Sequence, residues 1–60
     1  MSRFNVTYGV RLHGAIGIFW SLADTVKAAT AREAYAAFRD KHRERYEFGS
    51  PVSAVRIESE

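Results

Sequence analysis

Thr30-Ala31-Arg32-Glu33-Ala34, standing directly after Val26-Lys27-Ala28-Ala29, marks where extended chain stops and a helix begins. A helix start leaves backbone amides without partners. A threonine followed three residues later by a glutamate satisfies two of them, the Thr30 hydroxyl accepting from the Glu33 amide and the Glu33 carboxylate from the Thr30 amide. The helix start divides the chain at Thr30 into an extended first half and a second half that opens as helix.

Before it, Phe4, Val6, Tyr8, Val10 and Leu12 alternate with Arg3, Asn5, Thr7, Gly9 and Arg11, the pattern of a strand with one buried face. A second run from Ala15 to Ala28 carries Ile16, Ile18, Trp20, Leu22, Val26 and Ala28 at even positions. The two predict a hairpin. A three-residue loop, His13-Gly14-Ala15, sets Ile16 opposite Leu12, Ile18 opposite Val10, Trp20 opposite Tyr8 and Leu22 opposite Val6, with Gly14 at positive φ. Asp24 interrupts the even series, which predicts a bulge near Ala23-Asp24.

After the cap, Ala31, Ala34, Tyr35, Phe38 and His42 recur at helical spacing as an inward stripe. Arg32, Glu33, Arg39, Asp40, Arg43 and Glu44 lie outward. Gly49-Ser50-Pro51 predicts the end of the helical region, because the residue before a proline avoids helix and glycine suits the exit turn. Val52 to Glu58 reads as a short third strand with Val55 and Ile57 inward, and Ser59-Glu60 as a fraying tail. A crossover from the second strand to the third makes those two parallel, so the antiparallel solution places the third beside the first. The expectation is a single α+β domain over residues 1–60. It is a two-layer β-β-α-β unit whose three-stranded antiparallel sheet, in order 2-1-3, carries one helix on one face.

Sixty residues bury only roughly 60% of the surface exposed by the unfolded chain, so the core is small. Without cysteine there is no disulfide or thiolate metal site, which favours a reducing compartment. The longest apolar run, Ala15 to Trp20, is far short of the ~20 residues that span a bilayer, and Met1-Ser2-Arg3 leads into a strand rather than a signal peptide. These features predict a soluble, cytoplasmic protein with no membrane partner.

No catalytic residue, metal site, cofactor or small-molecule substrate is expected. His13 and His42 have no second ligand at metal-binding spacing, and no nucleophile, phosphate loop or isolated carboxylate pair accompanies either. Two surfaces are candidates for binding. Arg39, Lys41, Arg43 and Arg45 form the densest basic segment in a chain of formal charge +2. They complement the dipole at the end of the helix, or they track a phosphate backbone. The second surface is the sheet face away from the helix, with Arg3, Asn5, Thr7, Gly9, Arg11, Gly17, Phe19, Ser21, Thr25 and Lys27. There Phe19 is a stacking platform for bases, a local filler over Gly9 or Gly17, or the centre of a protein contact. Both outer strands are also edges, and Trp20 to Val26 offers backbone to another chain.

The pattern Val26 to Ala34 followed by an arginine-rich helix resembles small open reading frames of bacteriophages from GC-rich hosts. Such proteins are typically ββαβ domains that act by binding a host protein or a nucleic acid. The outline of Ala29 to Ala34 with Val55-Arg56-Ile57 is also similar to the β-β-α-β units of small ribosomal proteins. The resemblance implies a non-enzymatic binding protein whose partner is a host protein or a nucleic acid; the exposed edges and small core add a second copy of the chain as a partner, and nucleic acid stands as the alternative. It carries over no binding residue.

Overall fold

The computed structural model describes residues 1–59. Strand β1 (Ser2–Leu12) is followed by β2 (Trp20–Ala28), helix α1 (Ala31–His42) and β3 (Tyr46–Ser59). The sheet is three-stranded and antiparallel in the order β2-β1-β3, with the helix on one face, as the strand parities predict. Of the tail expected to fray, Glu60 lies outside the described residues, whereas the backbone of Ser59 pairs opposite Ser2.

The alternation in β1 decides the core. Phe4, Val6, Tyr8 and Val10 are buried, and they meet Val26, Ala28, Ala34 and Phe38 in one cluster. Phe38 is fully buried at its centre, its ring stacked on Tyr8 with centroids 5.6 Å apart. Tyr35 and Phe48 meet the Tyr8 ring edge-on at 5.9 and 5.3 Å, so aromatic contacts join the helix to β1 and β3. The cap forms with one change of detail. Thr30 Oγ1 accepts from the Glu33 amide at 3.2 Å, but the Glu33 carboxylate reaches the Ala29 amide at 3.2 Å rather than that of Thr30.

The hairpin register differs from the expectation by two residues. Trp20 lies opposite Val10, Leu22 opposite Tyr8, Asp24 opposite Val6 and Val26 opposite Phe4. This brings Val26 onto Phe4 in the core and turns residues 13–19 into the connection. Gly14 does take positive φ (77°), as does Gly17 (130°). Ile16 and Ile18 therefore leave the core, at 101% and 89% exposure, and Leu12 is exposed as well. No bulge occurs at Ala23-Asp24. The β1/β2 ladder is regular, because the inward carboxylate of Asp24 is met by Lys41 Nζ at 2.8 Å and His42 Nε2 at 3.0 Å from the helix above.

The second half departs further from its expectation. The helix ends at His42 with Arg43 as its C-cap, and β3 starts at Tyr46. Gly49-Ser50-Pro51 thus lies inside a strand. An edge strand tolerates proline because its missing donor can fall on the outer side. Ladder irregularities fall between Arg3 and Phe4, between Thr7 and Tyr8, and between Tyr8 and Val10. They reset the parity, so that Ala54 and Arg56 lie opposite Val6 and Phe4, while Val55 lies opposite Asn5. Val55 and Ile57 are exposed rather than inward. In the helix, Ala31 is exposed and Ala37 instead packs against the core.

Candidate interaction surface

The eight residues expected to bind fall into two groups on different parts of the molecule. Arg3, Arg11, Phe19 and Lys27 belong to the sheet face away from the helix. Arg39, Lys41 and Arg43 are on or capping α1, and Arg45 is in the turn to β3.

On the open face Arg11 is the best-anchored cation. Its Nε donates to Glu47 Oε1 at 2.6 Å and its Nη1 to the Gly17 carbonyl at 3.0 Å, while the guanidinium carbon lies 4.5 Å from the centre of the Phe19 ring. Phe19 is 39% exposed and lies over Gly49, where an added Cβ would stand 3.1 Å from the ring, and its Cβ is near Gly9. Its ring fills the gap at Gly49 on β3 rather than at the Gly9 or Gly17 of the expectation: the space at Gly9 is taken first by the Ser50 backbone, and nothing stands over Gly17. Arg3 pairs with Glu58 at 3.4 Å and stands opposite Lys27 in the ladder. Ala23 joins this face opposite Thr7, since the ladder is unbroken there.

The basic segment is similarly engaged. Arg39 Nη1 donates to the Tyr8 hydroxyl at 3.0 Å, Lys41 pairs with Asp24, Arg43 faces Asp40 at 3.7 Å, and the Arg45 guanidinium lies 5.8 Å from the Tyr46 ring. Partial burial pushes the Asp24 carboxyl up. Hydrogen bonds from Lys41, His42 and the Thr25 amide outweigh it and hold the group below its ordinary value of 3.8. His42 lies against Phe38, with ring centroids 4.7 Å apart, and against Tyr46, and its polar edge faces Asp24. Since a carboxylate can only accept, Nε2 is the donor there. The ring of His13 donates likewise to the Arg43 carbonyl at 2.7 Å, and the His13 amide to the Arg45 carbonyl at 3.3 Å. The hairpin connection is thereby fastened to the α1–β3 turn.

Sequence reasoning missed a third surface at this end. Ile16, Ile18, Trp20 and Leu12 are all exposed there, although Trp20 makes an edge-on contact with Tyr46 at 5.7 Å. Gly14 and Gly17, either side of Ile16, were the available signal, because two positive-φ glycines suit a connection longer than three residues. The adjoining edge of β2 is regular and carries Ser21, Ala23 and Thr25 on its open side, whereas the outer edge of β3 is interrupted by Pro51 and by its ladder irregularities.

Among the described residues no cavity forms, no group of three His, Asp or Glu side chains gathers as for a metal, and no helix is long and apolar enough to cross a membrane. No known family, curated protein or solved structure matches the chain.

Proposed function

We propose that this chain is a non-enzymatic binding protein that acts through protein–protein contact along the β2 edge and the connection leading into it. The observation that carries this reading is the exposure of Ile16 and Ile18 beside a regular, uncovered strand edge. Exposed apolar side chains next to a strand edge that faces no other strand suit an added strand from another protein. The open sheet face is less suited to the role, because Phe19 is used in covering Gly49 and Arg11 in holding Phe19 and Glu47.

Nucleic acid is the weaker reading on the same grounds. Phosphate contact draws on cations free to release counterions. Arg3, Arg11, Lys41 and Arg43 each face a carboxylate within the chain.

The test pairs two measurements. The tagged chain is used as bait in an extract of its source, alongside Ser21→Lys and Thr25→Lys, which place charge on the β2 edge. A partner held by the parent chain and lost by both variants is the expected result. Amide shifts of the labelled chain are then followed with single- and double-stranded oligonucleotides at two salt concentrations. Steeply salt-dependent shifts confined to Arg39 through Arg45, with capture unaffected by the edge charges, would sink the protein-contact reading.

A further inference from the structure

We infer that β2 pairs antiparallel with β2 of a second copy of this chain, in a register centred on Leu22. The inference rests on the protein-contact reading above and names the partner.

The two sheet edges are unequal. Pro51 and the irregular β1/β3 ladder make the β3 edge a poor template, whereas β2 runs from Trp20 to Ala28 without proline, glycine or bulge. The apolar series of β2 also runs past the strand. Ile16 and Ile18 share the parity of Trp20, Leu22, Val26 and Ala28, yet the β1/β2 ladder ends at Val10 and Trp20, and Leu12 pairs with Tyr46 instead. Ile18, and Ile16 beyond the turn at Gly17, therefore add apolar surface that their own chain leaves uncovered.

A two-fold pairing must match residues of equal parity, since opposed residues share a face. Centring on Asp24 would set two carboxylates directly opposite each other, which is unfavourable. Centring on Leu22 pairs 18–26 with itself and stops short of Gly17, whose φ of 130° turns the chain. Leu22 meets Leu22 of the other copy, and Ile18 of one copy meets Val26 of the other. Each Asp24 then faces Trp20 of the other copy, whose indole N–H is a donor only and suits a carboxylate. On the opposite face Ser21 meets Ala23 and Phe19 meets Thr25, so no like charges are opposed.

Size sets the expected strength. A standard interface takes about 800 Å² and 20–30 residues from each partner, and the 4079 Å² surface of this chain offers one strand edge and its connection. A concentration-dependent dimer is expected rather than an obligate one.

Sedimentation velocity over a concentration series tests the association, with the parent chain rising from 6.8 kDa toward twice that mass. The double variant Ile16→Ser/Ile18→Ser should remain monomeric while keeping the parent circular dichroism, since these side chains are exposed. Cysteine cross-linking tests the register in a chain that has no cysteine of its own. Directly opposed strand residues have Cα atoms about 4.5–5.5 Å apart, within disulfide reach. Leu22→Cys should thus give a disulfide-linked dimer and Thr25→Cys should not. A monomer at every concentration, cross-linking stronger at Thr25→Cys than at Leu22→Cys, or association indifferent to the isoleucine changes would each overturn the inference. If the parent chain is monomeric yet Ser21→Lys still loses a captured protein, only the second copy is ruled out and the protein-contact reading survives.

Discussion

The outer strands β2 and β3 flank the same central strand but are held by different means. β2 is short, its ladder is regular, and Asp24 fastens it from above to Lys41 and His42. β3 is longer and its ladder is repeatedly displaced, and Arg11–Glu47, Arg3–Glu58 and the Phe19 ring over Gly49 hold it across the open face. A regular edge gains strength from its neighbours and stays available to another strand. An irregular edge gives up that availability and relies on cross-strand side chains.

Four substitutions would break or sharpen this contrast. Phe38→Ala should abolish it, because both outer strands depend on the ring that is stacked on Tyr8. A loss of about 3–5 kcal/mol is comparable with the entire stability of a domain this small, about 3–9 kcal/mol. Circular dichroism should show a largely unfolded chain. Gly9→Val should act on the β3 side. A Cβ at Gly9 already stands 3.3 Å from the Ser50 carbonyl oxygen, so the added methyls force strands apart. A loss of about 1–3 kcal/mol is expected from urea unfolding, with amide exchange rising in β3 before β2.

Thr30→Ala removes the hydroxyl that receives the Glu33 amide and should cost about 1 kcal/mol, seen as a lower unfolding midpoint. The exchange of Ala34 and its neighbours should rise first. Asp24→Asn should give the smallest change and only on the β2 side. Since the folded Asp24 carboxyl titrates below its ordinary value of 3.8, its contribution is present above that pH and is lost as pH falls through the lowered value. Acid titration should therefore destabilise the parent chain more than Asp24→Asn below about pH 4.

Strand order, helix start and most of the β1 and α1 inward stripes were legible because each rests on local chemistry or on parity. Phe4, Val6, Tyr8 and Val10 could be placed from alternation alone, and Thr30 with Glu33 from the cap. Parity does not distinguish registers that differ by two, so it could not tell Trp20 opposite Tyr8 from Trp20 opposite Val10. The core decided that, by drawing Val26 onto Phe4. Val55 and Ile57 were misplaced because an extra residue inverts every side chain beyond it, and the irregularities of β3 leave little local trace. The basic residues were found as candidates, but their ion pairs with Asp24, Asp40, Glu47 and Glu58 span chain separations that no local pattern reports, apart from Arg43 with Asp40.

The central position of β1 has a kinetic consequence. Its partner β2 lies one connection away, but its other partner pairs Ser2 with Ser59 and Leu12 with Tyr46. The hairpin and α1 can form from near neighbours, whereas Val6 and Val10 stay open along one flank until β3 closes the longest loop in the chain. Closing such loops costs entropy before the contacts compensate, and that slows folding relative to helical proteins of the same length. The late-closing strand is also the irregular one, so the regular β2 edge exists while its sheet is still incomplete. At that stage association through the outer edge of β2 proceeds on the flank opposite the β1 edge that β3 has yet to fill.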